Sequence, residues 1–295
     1  MLTRQQIATD LRALGLAGGD VVMVHASLRA VGEVAGGPDE VHLAIKDVVT
    51  SEGALIMYAS CPAYVDDVGR GNLTPEQEAE VLEKLPPFDP YTARSSRDNG
   101  ALVELLRTYP GSRVNPHPAR FVVWGGHTDF LLSEQPWDYA FGRGSVLDKL
   151  VTLDGKILLL GSDHDNTTFL HYAEHVGDFP GKRVARYKVP VLEGGVKAWR
   201  DMAEFDTSSD GVHPNWPDRF FARIVDGYLA ATGNRGGRVG NATSYLFGAR
   251  GLLDYALPVM VRAAAGGVAT RRPEAPAPDR YAPRDGPGSS PRAPR

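Results

Sequence analysis

The sequence predicts an α/β fold, a three-layer α/β/α arrangement around a central mixed, largely parallel sheet. Continuous apolar runs at residues 21–25, 54–58 and 156–160 are typical of strands that are buried on both faces. Helical patterns separate these runs, which favours βαβ units and parallel pairing. Two alternating segments at residues 183–191 and 195–205, joined through glycines, predict an added antiparallel strand pair.

Length and composition predict a single domain over residues 1–265. The chain has 295 residues, of which 42% are hydrophobic, and this is enough for one large core. Residues 266–295 are rich in proline, arginine and glycine and contain almost no apolar side chains. Such a segment cannot bury enough surface to order itself, so we predict a disordered C-terminal tail.

Several classes of protein are disfavoured by the composition. A net charge of −4 provides no basic field for nucleic acid. The lone cysteine, Cys61, rules out an intramolecular disulfide and a cysteine-based zinc cluster, and we expect a buried structural thiol there. The N-terminus lacks the apolar core of a signal peptide, and no apolar run reaches membrane-spanning length. We therefore expect a cytoplasmic protein without a membrane partner.

The elements of the first half follow from caps and turn residues. Thr3 is a candidate cap for a helix that extends to Leu14, and Gly36-Gly37 precede a helix at residues 41–49. A helix start of this kind exposes backbone N–H groups that can hold phosphate. The signal is weak alone, because neither a P-loop nor a dinucleotide-binding glycine motif is present.

The remaining elements follow from apolar periodicity. Proline and glycine pairs separate them, and the last helix extends to about Ala265. Besides the strands named above, we predict one further strand at 121–125 and helices at 71–85, 101–106, 146–150 and 219–230.

The strongest candidate site follows the strand at residues 156–160. In an open α/β sheet, ligands bind at the carboxyl ends of the strands. Thr168, His171 and Glu174 come just after this strand and lie three residues apart, so on a helix they share one face. A hydroxyl, an imidazole and a carboxylate would then lie in a row. The alternative is a capped helix with a structurally satisfied histidine.

Two chemistries are compatible with this helix. His171, Glu174 and His175 match the His-x-x-Glu-His motif of a zinc hydrolase. That motif needs a further carboxylate ligand downstream, and no glutamate follows Glu204 before the tail. In the metal-free alternative, His171 is a general base, Glu174 orients its ring, and Thr168 hydrogen-bonds to either partner.

At this point the sequence resembles the aminoglycoside 3-N-acetyltransferases, from about Leu2 to Gly267. The resemblance rests on the order and spacing of several short motifs. These motifs are Val24-His25-Ala26-Ser27-Leu28 with Gly36-Gly37, His117-Pro118, Leu158-Leu159-Leu160-Gly161, Asn166-Thr167-Thr168 with His171-Tyr172-Ala173-Glu174, Asp206 with Gly211, and Tyr245-Leu246-Phe247.

This resemblance implies acetyl transfer from acetyl-CoA to the 3-amino group of a 2-deoxystreptamine aminoglycoside, and hence antibiotic resistance. It makes His171 the general base, Glu174 its partner and Thr168 the third member of the set, with no metal. It also places one group of residues around coenzyme A: His25, Ala26, Ser27, Leu28, Arg29, Gly36, Gly37, Arg113 and His117. One departure is Phe121, where the family often has serine.

A polycationic antibiotic requires an acidic cleft, and the sequence offers acids on predicted loops. The predicted substrate-binding residues are Tyr64, Asp66, Asp163, Asp165, Asn166, Glu204 and Asp206. The alternative for any single acid is an ordinary turn residue. A protein that binds coenzyme A or aminoglycoside without turnover is the non-catalytic alternative, and the intact His171 and Glu174 pair argues against it. The oligomeric state is left open, with a homodimer as one option.

Overall fold

The computed structural model describes residues 1–61, 73–206 and 212–266. Within these residues the chain forms nine strands, numbered β1 to β9 in chain order: Val21–Ala26, Ala54–Tyr58, Arg113–Val114, Phe121–Gly125, Lys156–Leu160, Val184–Glu193, Val196–Phe205, Gly237–Val239 and Ala242–Gly248. The same residues form ten α-helices, α1 to α10: Arg4–Ala13, Leu28–Val31, Asp39–Val49, Pro75–Lys84, Ala101–Thr108, Thr128–Leu131, Val146–Thr152, Leu170–Val176, Phe220–Thr232 and Ala249–Ala265.

Seven of the described strands form one sheet in the order β3-β4-β2-β1-β5-β9-β8. The central strand β1 is parallel to both of its neighbours, β2 and β5. The ladders outside these three strands are antiparallel. The predicted fold class is confirmed, and the structure adds that parallel pairing is confined to the centre of the sheet.

The side chains of β1 alternate between two apolar cores, which makes the three layers. Val21 and Met23 pack with helices α7 to α10 on one face of the sheet. Val22 and Val24 pack with α1, α3 and α5 on the other face. Each aliphatic side chain that is fully buried in this way contributes about 1.5–3 kcal/mol through the hydrophobic effect.

The predicted antiparallel pair is also confirmed, as the hairpin of β6 and β7. Gly194 and Gly195 form its turn with φ angles of 58° and 81°, a region that favours glycine. One side of the hairpin packs over Cys61 and Phe88 and forms a third apolar cluster.

The helix ends match their local sequences. Thr3 caps α1 in a capping box with Gln6, and Ser145 caps α7 by accepting from the backbone N–H of Asp148. Helix α10 ends at Ala265, so the predicted tail falls almost wholly outside the described residues. None of the described helices is long and apolar enough to cross a lipid bilayer.

Candidate active site

The site lies at the carboxyl ends of β1 and β5, which are adjacent and parallel. The Ser27 N–H just beyond β1 donates to the Leu160 carbonyl at the end of β5, at 2.9 Å. Gly161 then turns the chain with a φ of 62°. A Cβ there would lie 2.6 Å from the Ala30 Cβ and 2.8 Å from the Ala242 Cβ, so this close turn requires glycine.

Helix α8 begins a short distance after this turn and carries the predicted base and its partner. His171 Nδ1 lies 2.6 Å from Glu174 Oε2, and Glu174 is buried with only 2% of its side chain exposed. An ionised carboxylate can only accept, so Nδ1 carries the proton and donates it to Glu174. The Nε2 of neutral His171 therefore keeps its lone pair and can accept a proton.

The ring of His171 is held between aromatic side chains. Its centroid lies 5.1 Å from that of Phe141 and 4.9 Å from that of Phe221. The His171 side chain keeps 22% exposure, so the ring is held while one side stays accessible. This is the arrangement expected of a base that must meet a diffusing substrate.

Thr168 lies just before α8. Its carbonyl accepts from the His171 N–H at 3.0 Å, and its side chain is nearly buried. In the described part of the chain, the Thr168 hydroxyl makes no hydrogen bond to His171 or Glu174. Its place in a triad-like set stays a prediction.

His25 is a predicted cofactor-binding residue that interacts electrostatically with His171. Alternation along β1 places it on the same face as Met23, the face that carries α8. Burial, together with repulsion from a protonated His171, lowers the pKa of His25 to about 4. Its Nε2 is buried and has no hydrogen-bond partner among the described residues. An unpaired buried polar atom costs about 1–3 kcal/mol, which is a reason to assign it a ligand.

The other residues predicted around coenzyme A begin at the same edge. The Ser27 hydroxyl accepts from the Ala30 N–H at 3.3 Å and caps α2. Gly36 and Gly37, with φ angles of 92° and 98°, precede α3, whose N-terminus has no side-chain cap. Because β1 leads directly into this segment, its backbone lies on the same edge as α8. Ala26, Leu28 and Arg29 belong to the same turn.

His117 lines a cavity of about 670 Å³ together with the loop from Leu132 to Trp137. Its Nε2–H donates to the Trp137 carbonyl at 3.2 Å, and its Nδ1 accepts from the Ala119 N–H at 3.0 Å. Burial lowers its pKa to about 4. A neutral ring with both nitrogens hydrogen-bonded offers neither charge nor a free donor to a phosphate. Any contact of His117 with coenzyme A would therefore be a van der Waals contact with the carbon atoms of the ring.

Arg113 is not brought to the site, in contrast to the expectation. Its guanidinium pairs with Asp129 of α6 at 2.5 Å. Helix α6 follows the carboxyl end of β4, and β4 is antiparallel to β2. Asp129 therefore holds Arg113 towards the opposite edge of the sheet from His171.

The acids after β5 are near the site but are partly engaged. The Asp163 carboxylate accepts from the Asp165 N–H at 2.9 Å and pairs with Arg219 at 2.6 Å, and the backbone bond contributes most to lowering its pKa. Asp165 accepts from the Ala222 N–H at 3.0 Å and so ties this turn to α9. Asn166 is exposed.

The remaining predicted substrate residues have different outcomes. Glu204 lies buried in β7, the strand predicted at residues 195–205, and not on a loop as a substrate-binding acid would, and its carboxylate accepts from three protein donors. Asp206 follows β7, and its N–H donates to the Arg183 carbonyl at 2.9 Å. Tyr64 and Asp66 lie outside the described residues.

The zinc alternative finds no support in the geometry, and Cys61 is buried as expected. His175 Nδ1 lies 2.6 Å from the His171 carbonyl, and its Nε2 contacts Glu204, so neither nitrogen is open to a metal. Residues 1–61, 73–206 and 212–266 contain no cluster of three or more metal-ligating side chains. Cys61 is 1% exposed, and burial raises its pKa to about 11, which disfavours the nucleophilic thiolate.

The family model described as aminoglycoside 3-N-acetyltransferase matches residues 23–261. The chain belongs to this family. The family and the enzyme class expected from the sequence are confirmed. The matched residues include His171 and Glu174 and the carboxyl ends of the parallel strands, where this pair lies.

Individual aminoglycoside 3-N-acetyltransferases match most of the chain. The aminoglycoside N(3)-acetyltransferase III of Pseudomonas aeruginosa is 38% identical over 259 residues, 86% of this chain and 92% of that protein. The structure of AAC-IIIb in a binary complex with CoASH is 40% identical, with a TM-score of 0.80 over 88% of this chain and 96% of that one. AAC-VIa bound to sisomicin is 32% identical, with a TM-score of 0.81 over 90% and 99% of the two chains.

The departure at Phe121 has a simple structural consequence. Phe121 is fully buried in β4, and its ring lies 5.2 Å from that of Tyr58. Its N–H donates to the Asn115 side chain at 2.6 Å. The position belongs to the apolar core in this aminoglycoside 3-N-acetyltransferase, and it offers no polar group to a ligand.

Proposed function

We propose that the protein transfers the acetyl group of acetyl-CoA to the 3-amino group of the 2-deoxystreptamine ring of an aminoglycoside, with His171 as general base. The observation that carries this proposal is the short Nδ1 contact of His171 with buried Glu174, which leaves Nε2 free at a strand-end cleft. Family membership supports the reaction class, and the ligands of two solved relatives, CoASH and sisomicin, support the two substrates.

The chemistry requires a base because an ammonium group has no lone pair with which to attack a thioester. His171 Nε2 takes the proton, and the amine nitrogen forms a bond to the thioester carbon. The carbon–sulfur bond then breaks, and the thiolate of coenzyme A leaves and takes up the second proton that the nitrogen gives up as it becomes an amide. Glu174 fixes the tautomer of the ring and stabilises the imidazolium that forms. Both substrates are present together, so no acyl-enzyme is needed.

The neighbouring groups fit supporting roles. The neutral ring of His25 has an unpaired Nε2 near His171, and it is placed to hydrogen-bond to the acetyl donor. The β1–α2 turn and the uncapped start of α3 offer backbone N–H groups for the phosphates of coenzyme A. Asp163, Asp165 and Asp206 supply negative charge for a cationic antibiotic, with Tyr64, Asp66 and Asn166 as further contacts.

The direct experiment follows thiol release when the protein is mixed with acetyl-CoA and gentamicin, kanamycin or apramycin. We expect thiol release with at least one antibiotic, and NMR of the product should place the acetyl group on the 3-amino nitrogen. Expression of the protein should also raise the inhibitory concentration of that antibiotic. Absence of thiol release with all three, or acetylation at another amine, would contradict the proposal.

A chelator control separates this function from zinc-dependent hydrolysis. Because both nitrogens of His175 are engaged by protein oxygens, dialysis against a chelator should leave turnover unchanged. Loss of activity that zinc restores would support the hydrolase alternative.

A further inference from the structure

His175 lies one turn beyond His171 on α8, and both of its ring nitrogens contact oxygen acceptors. Its Nδ1 is 2.6 Å from the His171 carbonyl, and its Nε2 contacts Glu204 Oε1. A carbonyl can only accept, so Nδ1 carries a proton. If the carboxylate is ionised, Nε2 must also carry one, and the ring is an imidazolium.

The surroundings of Glu204 favour the ionised carboxylate. Oε1 also accepts from the Phe205 N–H at 2.8 Å, and Oε2 accepts from the Ala140 N–H at 2.7 Å. Backbone N–H donors on both oxygens stabilise the carboxylate relative to the carboxylic acid. The side chains of His175 and Glu204 are 2% and 7% exposed, so the two form a buried ion pair.

Glu204 also anchors residues 138–141, the loop whose Phe141 ring packs against the ring of His171. Residues 138–141 are joined to β7 by two further bonds: the Tyr139 N–H donates to the Ala203 carbonyl at 2.8 Å, and the Ala203 N–H donates to the Asp138 side chain at 2.7 Å. Phe141, next to Ala140, packs against the rings of both His171 and His175. The Glu204 carboxylate is thus linked to His171 in two ways. It contacts His175, which donates to the His171 carbonyl, and it accepts from the Ala140 N–H, next to the Phe141 ring that packs on His171.

We propose that Glu204 is a positioning residue for His171, acting through the His175 imidazolium and through the loop that carries Phe141. This role replaces the direct substrate contact that was expected of Glu204. The proposal rests on the proposed function of His171 as the base.

A purely stabilising role is the alternative explanation of the pair. Taking two charges out of water is costly, and replacing a buried ion pair by apolar residues of similar volume is often neutral or stabilising. A misplacement of about 1 Å at a catalytic group can lower the rate by about a hundredfold. A positioning role therefore allows turnover to fall while the stability of the protein is kept. A purely stabilising role does not.

The test compares His175→Leu with His175→Gln in acetyl transfer from acetyl-CoA to gentamicin. The glutamine amide nitrogen can occupy the place of Nε2 and donate to Glu204, whereas leucine makes neither bond. We expect the leucine variant to lose about 10–100-fold in kcat with KM changed less than about threefold, and the glutamine variant to keep kcat within about fivefold. Gentamicin is replaced by kanamycin or apramycin if the wild type prefers one of them.

A double variant removes the charge penalty from the comparison. In His175→Leu the carboxylate of Glu204 stays buried without its cation, which can itself destabilise the protein. In His175→Leu with Glu204→Leu no charge is left unpaired. A positioning role predicts that the double variant melts near the wild type but stays as slow as the single leucine variant. Recovery of kcat together with stability would overturn the proposal.

Tyr172→Phe is the matched control on the same helix. The Tyr172 hydroxyl donates to Asp148, away from His171, so its loss should lower stability but change kcat by less than about threefold. Wild-type turnover in His175→Leu would overturn the positioning role, provided that His171→Ala is inactive. If His171→Ala keeps its turnover, the proposed function itself has failed. Histidine nitrogen NMR then still tests the pair, because His175 should have both nitrogens protonated.

Discussion

The two faces of the central sheet each carry a cluster of buried and partly buried polar and aromatic side chains, and the clusters differ in the partners of their titratable groups. The catalytic-face cluster consists of His171, Glu174, His175 and Glu204. The opposite-face cluster consists of His42, Lys46, Tyr109 and Trp124. In the first cluster, each histidine pairs with a buried carboxylate, whereas in the second His42 pairs at 3.1 Å with Asp39, whose side chain is 43% exposed.

In the opposite-face cluster, the Lys46 ammonium has no hydrogen-bond acceptor among the described residues. It packs over the rings of Tyr109 and Trp124, at 4.2 Å and 4.9 Å from their centroids. Burial lowers its pKa from 10.5 to about 8, and burial also lowers the pKa of His42. Trp124 pairs with Leu55 near the start of β2, away from the strand ends that form the site.

The comparison shows that a shifted pKa alone does not identify the site. The pKa of Lys46 is lowered because the side chain is buried, and Lys46 packs on Trp124, at the edge where the parallel strand β2 begins. His171 combines a carboxylate partner, a free nitrogen and partial exposure at the carboxyl edge of the sheet. A general base needs this combination of orientation and access.

The largest expected effect follows from removing the base of the catalytic-face cluster. His171→Ala should lower kcat by about 10²–10⁴-fold, because proton removal from the amine is then left to water. Acetyl-CoA and antibiotic should still bind in calorimetry, and the circular dichroism spectrum should be unchanged. Near-wild-type turnover with an intact fold would move the active site elsewhere.

A smaller loss is expected when the partner is changed and the base is kept. Glu174→Gln retains a hydrogen-bond acceptor for Nδ1–H but removes the charge that stabilises the imidazolium. We expect kcat to fall by about 10–100-fold, less than in His171→Ala. Steady-state rates at saturating substrates give this ratio, and a loss equal to that of His171→Ala would mean that the carboxylate does more than orient the ring.

Lys46→Met tests the opposite-face cluster and should affect stability but not turnover. The folded-state pKa of Lys46 is below its unfolded value, so the unfolded chain binds more protons between pH 8 and 10.5. The penalty of burying the charge is therefore present in full below pH 8 and fades as the pH rises. Lys46→Met should melt about 2–4 °C higher than wild type at pH 7, and the difference should shrink by pH 10. A difference that is independent of pH would show that the ammonium is not desolvated.

The smallest effect is expected at Cys61. Burial raises the pKa of its thiol to about 11, and its Sγ donates to the Ala59 carbonyl at 3.6 Å. Cys61→Ala should keep kcat within about threefold, because no acyl-enzyme forms there. Mass spectrometry of the wild type with acetyl-CoA and no acceptor provides the check, and an acetyl adduct on Cys61 would refute direct transfer.

The local pattern of the sequence predicted the central strands and the contact between His171 and Glu174 well. The core strands are continuous apolar runs, and His171 and Glu174 are three residues apart on one helix, so both depend on near neighbours in the chain. Strands β8 and β9 were not predicted, because β8 has only three residues and begins with a glycine, and the pairing of β9 depends on contact with the distant strand β5.

The residues that were misplaced depend on contacts between distant parts of the chain. Glu204 was counted among the acids that contact the substrate although it falls in the strand predicted at residues 195–205, and its partner His175 is 29 residues away. The alternation of the strand could have predicted that Glu204 is buried, since side chains two residues apart lie on the same face of a strand and Met202 is buried. Arg113 is close in sequence to His117, but a short strand directs it towards Asp129.

The central claim is that the free Nε2 of His171 removes the proton from the acceptor amine. The measurement that tests it most directly is the ratio of kcat for wild type and His171→Ala as a function of pH, with both substrates saturating. Without a base, the reaction depends on the fraction of amine that is already neutral, and this fraction grows as the pH rises. We therefore expect the ratio to be largest near neutral pH and to fall steadily towards pH 10. A ratio that stays constant across this range would show that His171 has a structural role, and it would contradict the assignment of His171 as the base.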